Sequence, residues 1–213
     1  MPETSVGTPA LIEWGVASRA LPGEALSGDL HFVKQVATGS IVAVVDGLGH
    51  GAEAATAARA AVTALDRHAA ESPIPLFERC HRALQGTRGV VMSVATFTHR
   101  DRSMTWLGVG NVEGLLLYGD GAARSGSPRA SLVTRGGIVG SELPRLHPVV
   151  LPIAPGDTLI FATDGIREGF AEGLAPEAAP QQLADQILAR HGKGTDDALV
   201  LVARYLGAAG TRG

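Results

Sequence analysis

The 213-residue chain is short of several things, and each shortage closes off a class of protein. It has one cysteine, Cys80, so no intramolecular disulfide framework staples it, and a lone thiol fits a reducing compartment. Of its 18 basic residues only Lys34 and Lys193 are lysines, and the arginines are scattered from Arg19 to Arg212 rather than gathered in one patch. The net charge is -3 with a pI near 6.1, which removes the simple electrostatic case for nucleic acid or an anionic membrane surface. No stretch approaches the roughly 18 uninterrupted apolar residues of a membrane span. The opening MPETSVGTPA lacks the basic-then-apolar pattern of a secretory leader, so the expectation is a cytoplasmic protein. Internal repeats and long linkers are absent too, which predicts a single domain over 1–213 with its core at about 11–206.

What is present is core material. Hydrophobic residues make up 45% of the chain and the mean hydropathy is +0.16, enough to exclude a disordered or low-complexity protein. Strands are predicted at 11–18, 29–36 and 40–46, the last a continuous β-branched run suited to burial on both faces. An Ala-dominated helix follows at 52–70, and a second at 72–86 has a Ser-Pro start and Leu76, Cys80 and Leu84 on one stripe. Segments 90–99, 103–110 and 113–119 read as strands joined by short polar links, which predicts an antiparallel meander. Strands at 147–153 and 155–165, a helix at 179–191 and a strand at 197–206 complete an α+β pattern. Residues 120–147, rich in Gly, Ser, Pro and Arg, have the least regular pattern in the chain.

The aspartates carry the chemistry. Asp46 closes an apolar strand and Gly47 follows; Asp164 and Gly165 repeat the arrangement after TLIFAT; Asp29 sits behind Gly28 at a strand start, and Asp196-Asp197 precede ALVLV. Taken singly, each is most simply a turn former or a helix cap. Together they place carboxylates at the ends of several core strands, where their mutual repulsion calls for cations. Oxygen donors without Cys or His suit hard ions such as Mg²⁺ or Mn²⁺. His50, between Gly49 and Gly51, is read as the start of the Ala-rich helix in preference to a ligand or base, and Cys80 as core. Gly47, Gly49 and Ala52 also match a dinucleotide-binding turn, but no acidic strand end follows about 20 residues on. There is no phosphate loop with Gly-Lys-Ser/Thr and no nucleophile elbow around a serine.

SGD (27–29), VAVVDGLGHG (42–51), GVGN (108–111), FATDGIRE (161–168) and GTDDALVLV (194–202) resemble, in order, the motifs of the metal-dependent PPM-type serine/threonine phosphatases, in their bacterial SpoIIE-like branch. The resemblance implies a β-sandwich of two antiparallel sheets flanked by helices, with two Mn²⁺ or Mg²⁺ ions at one end. It implies that Asp46 bridges both ions, that the Gly47 carbonyl binds one, that Asp164 and Asp196 hold the other, and that Asp29 acts through water. Asp197 would orient its neighbours; Gly28, Gly165, Asn111 and Glu168 would support the site. The implied partners are phosphorylated STAS-type stressosome proteins. The phosphate-binding Arg of eukaryotic members is missing from PGEALSGD, and Arg19, ten residues before Asp29, is the nearest substitute. The 120–147 region, with Arg124, Arg129, Arg135 and Arg145, stands where relatives carry a variable flap; docking of a phosphoprotein and a plain solvated loop are both open readings. Two other functions stand beside the phosphatase: a phosphoprotein-binding pseudophosphatase without turnover, and a nucleotide-binding oxidoreductase on a parallel sheet.

Overall fold

A computed structural model describes residues 10–119, 127–174 and 177–207. Its elements run β1 (Ile12–Arg19), β2 (Asp29–Val36), β3 (Gly39–Gly47), α1 (Gly51–His68), α2 (Pro73–Ala83), β4 (Val90–Thr98), β5 (Ser103–Val109), β6 (Glu113–Leu117), β7 (Arg129–Leu132), β8 (Val149–Pro152), β9 (Thr158–Ala162), α3 (Pro180–His191) and β10 (Ala198–Tyr205). They form two five-stranded sheets, the first in the order β1-β10-β9-β6-β7 and the second in the order β2-β3-β4-β5-β8. Every pairing between these strands is antiparallel, which removes the parallel sheet that a dinucleotide-binding reading requires.

The sheets stack face to face, and helices cover both outer surfaces. Val42, Val44, Phe97 and Trp106 from the second sheet meet Leu116, Phe161, Leu199 and Leu201 from the first in the central layer. Ile41, Ala43 and Val45 point the other way, into a layer shared with α1 and α2. This is why 40–46 reads as an unbroken apolar run: β3 is buried on both faces. The Ala-rich sequence of α1 has a matching reason. Ala57, Ala58, Ala61 and Ala64 leave the helix thin enough to lie close on the sheet. A Cβ at Gly47 would stand 2.3 Å from the Ala54 carbonyl oxygen, so only glycine fits there. On the opposite face, Leu183, Ala184 and Ile187 of α3 pack on Ile160, Val200 and Val202.

Two expectations are corrected. The segments 90–119 do not form a three-stranded meander: β4 pairs with β5, but the Gly110-Asn111 link carries the chain across the sandwich, and β6 pairs with β7 and β9 in the other sheet. Residues 127–147 are also more ordered than their composition indicates. They supply β7, and Val139 is fully buried beside Leu84 and Gly89. The Arg135 backbone exchanges hydrogen bonds with Gly108 and Gly110. Arg129 begins β7 and Arg145 is exposed, whereas Arg124 lies outside the described residues. The stripe on α2 is as expected, with Leu76, Cys80 and Leu84 all buried. Among the described residues no helix is long and apolar enough to cross a membrane.

Candidate metal centre

Strand pairing brings the first two carboxylates together. The β2–β3 hairpin registers Asp29 directly against Asp46, on the strand face that continues through Val42 and Val44 into the central layer. The other sheet contributes at the same end. Asp164 follows β9 by two residues and Asp196-Asp197 lead into β10, and these strands are neighbours, with Ala162 opposite Val200.

Thr163 joins the two sheets. Its hydroxyl donates to Asp29 Oδ2 at 2.7 Å and accepts from the Leu199 backbone N–H at 2.9 Å. Asp197, almost fully buried, accepts from the backbone N–H of Leu21 and of Gly28, both at 2.7 Å, and so holds the 20–28 loop over the hairpin start. A Cβ on Gly28 would lie 2.9 Å from that of Ala54 and 3.2 Å from the Gly47 carbonyl oxygen; a Cβ on Gly165 would lie 1.9 Å from the Asp197 carbonyl oxygen. Both glycines therefore let backbone close in around the carboxylates. Asn111, at the sheet-to-sheet crossing, donates to Asp164 Oδ2 at 2.9 Å, and Lys193 Nζ donates to the Asp164 carbonyl oxygen at 2.5 Å.

The electrostatics follow from this convergence. Burial raises the Asp46 carboxyl to about 9, and the charges of Asp29, Asp164, Asp196 and Asp197 push the same way. Asp29 is raised to about 7, first by burial, against which the Thr163 hydrogen bond acts, and then by Asp197, Asp164 and Asp196. Among the described residues none of these carboxylates forms an ion pair with a guanidinium or ammonium, the Lys193 contact being to the Asp164 backbone carbonyl. Such a group of mutually repelling acids has the charge and the hard oxygen donors that divalent cations require. Among the described residues no three His, Cys, Asp or Glu side chains converge on one point as a complete ion cage. A donor set of this kind fits ions that keep much of their water, as Mg²⁺ does.

Other residues singled out from the sequence fall around this centre or away from it. Glu168 is exposed, and its charge reaches Glu113, whose carboxyl is raised first by burial and then by Glu168. His50 occupies the N-cap position of α1 without a capping bond and pairs instead with Glu24 Oε1 at 2.8 Å. Arg19 is set apart. It lies opposite Ala198 on the strand face that packs on α3, with its guanidinium against Gly192. Thr163, Lys193 and Arg88 had no signal in the sequence. Arg88 ion-pairs with Glu53, and its Nη1 would lie 2.7 Å from a Cβ at Gly49, in the loop that leaves Asp46.

Comparison with known proteins agrees with this architecture. The family described as Stage II sporulation protein E (SpoIIE) matches residues 37–206. Phosphoserine phosphatase RsbX of Bacillus subtilis (strain 168) is 33% identical over 94 residues, which make up 44% of this chain and 47% of RsbX, so the match spans about half of that relative. A solved chain described under "The bacterial stressosome: a modular system that has been adapted to control secondary messenger signaling" superposes with a TM-score of 0.81 at 30% identity, over 91% of this chain and 99% of that one. RsbX in complex with magnesium superposes with a TM-score of 0.79 at 22% identity, over 91% and 95% of the two chains. The two-sheet sandwich is the fold of the PPM-type phosphatases, and the chain belongs to the SpoIIE family.

Proposed function

We propose that this protein is a cytoplasmic, Mg²⁺- or Mn²⁺-dependent phosphatase that removes phosphate from serine or threonine of a protein substrate. The observation that carries the proposal is the convergence of Asp29 and Asp46 from one sheet with Asp164, Asp196 and Asp197 from the other, with no ion pair to any of these carboxylates among the described residues. Asp46 and the Gly47 carbonyl would hold one ion, and Asp46 with Asp164 and Asp196 a second, with Asp29 acting through water. Two such ions supply a water of lowered pKa and a clamp on the phosphoryl oxygens.

The chain's own residues position these groups. Thr163 fixes one oxygen of Asp29 and leaves the other for water, while Asn111 and Lys193 fix Asp164 from its side chain and its carbonyl. Asp197 orients the 20–28 loop in place of ligating. Arg88 and Lys193, rather than Arg19, are the cations set around the Asp46 and Asp164 loops to meet an incoming phosphate. The similarity to a phosphoserine phosphatase and to a chain described with the bacterial stressosome supports phosphorylated STAS-type stressosome proteins as substrates.

The test is hydrolysis of p-nitrophenyl phosphate and of a phosphoserine peptide with Mn²⁺, Mg²⁺ or EDTA, beside Asp46→Asn and Asp164→Asn. Turnover that needs the metal and disappears in both variants is expected. Calorimetry showing no Mn²⁺ binding, together with no turnover, would remove the metal centre and leave a phosphoprotein-binding module.

A further inference from the structure

The outer face of the helical hairpin carries a second constellation, of opposite charge. A cleft of about 510 Å³ opens between α1 and α2. Its rim holds Arg67 and His68 from α1 and Arg79 and Arg82 from α2, and its floor includes the methyl groups of Ala60 and Ala64. One acid reaches this rim. Glu71 accepts from Arg79 Nε at 3.3 Å and pairs with His68 Nδ1 at 2.8 Å. The side chains of Arg67 and Arg82 have no acidic partner among the described residues, although the chain as a whole carries a net charge of -3. Helix dipoles account for part of this, since Arg67 and Arg82 lie in the last turns of their own helices. They do not account for Arg79, which is not in a last turn, or for cations from two helices facing one cleft.

We propose that this cleft is a docking site for an acidic peptide segment of a protein partner. Guanidinium groups around a cleft match carboxylates in planar, two-pronged hydrogen bonds. The alanine floor suits a small apolar side chain lying between the acids. A nucleic-acid backbone would leave that floor unused, and three guanidiniums around one cleft do not make the extended basic track that a phosphate chain follows. The exposed Arg79–Glu71 pair is a weak obstacle, because exposed pairs of this kind contribute little and exchange readily.

Docking is read without reference to turnover. A fluorescein-labelled peptide of alternating glutamate and alanine is titrated with the full chain and followed by anisotropy, with inorganic pyrophosphate as a separate small-anion probe. The expected result is saturable binding that weakens with salt and falls about tenfold for each guanidinium removed in Arg67→Glu and Arg82→Glu. Arg190→Glu, on the exposed surface of α3, leaves binding unchanged. Arg67→Gln and Arg82→Gln, which add no negative charge, reproduce the direction of the loss if the Glu variants fold poorly. Absence of saturable binding at low salt, or binding indifferent to all four groove variants, would overturn the proposal. Pyrophosphate binding without peptide binding would overturn it as well, by making the cleft a small-anion site.

Discussion

Asp29 and Asp46 sit inside the ladder of the second sheet, whereas Asp164 and Asp196 sit in loops beyond the strands of the first. The hairpin pair has its backbone fixed by register, with Asp29 buried and Asp46 half-buried, and has both carboxyls pushed well above the ordinary range. Asp164 is exposed, and side chains from elsewhere hold it, Asn111 at the crossing between sheets and Lys193 before β10. One sheet thus holds carboxyls that give up their protons reluctantly, and the other supplies an exposed acid at its edge. A centre built this way is repulsive when empty of cations and gains most from them where the carboxylates are most buried.

The largest expected effect comes from the buried side of this contrast. Asp46→Asn lowers kcat/KM on p-nitrophenyl phosphate by about 10³-fold, the scale on which lost active-site electrostatics are felt. In EDTA the same variant is more stable than the parent by thermal denaturation. Folding raises the Asp46 carboxyl to about 9, so the native state keeps a proton that the unfolded chain has released. Metal-free stability therefore falls as pH climbs from about 4 towards 9, and the advantage of the Asn variant widens over that window. A variant less stable than the parent in EDTA across the whole window would erase the difference between the two sheets.

Asp197 comes next, because its carboxylate is structural. Asp197→Ala leaves the half-buried N–H of Leu21 and the buried N–H of Gly28 without acceptors and costs about 2–4 kcal/mol in urea unfolding. Asn111→Ala acts on the exposed side of the comparison. It is expected to leave the unfolding midpoint in place and to weaken Mn²⁺ binding by about tenfold in calorimetry, as removal of a group that orients a ligand does. The smallest effect is a null one. The Cys80 thiol, buried and pushed up to about 12, stays unalkylated by iodoacetamide in the native protein and reacts once urea is added, as mass spectrometry reads directly.

Much of the second sheet and its helices was legible in the linear pattern. Two-sided burial of β3 shows as a β-branched run, and the close approach of α1 shows as alanine after alanine. The first sheet was harder to read. β7 has four residues and follows a Gly- and Ser-rich stretch, so its pairing with β6 leaves almost no periodicity. The three-residue link after β5 looks like a hairpin turn, and nothing local distinguishes a turn within one sheet from a crossing between two. The same limit applies at the centre. The aspartates announced themselves by strand-end positions, but Thr163 is an ordinary threonine until the other sheet places Asp29 opposite it.

By itself the sequence determined which residue types are available: carboxylates closing apolar strands, glycines beside them, small residues on the first helix and too few cysteines for an intramolecular disulfide. Those are local properties, set by period, propensity and side-chain chemistry. Only the tertiary structure decided which sheet each strand joined, that Asp29 and Asp46 face each other while Asp197 turns to the backbone, and that cations from α1 and α2 share one cleft. Those depend on contacts between residues far apart in the chain, and they were settled by the burial of two sheet faces against each other and of helices against both.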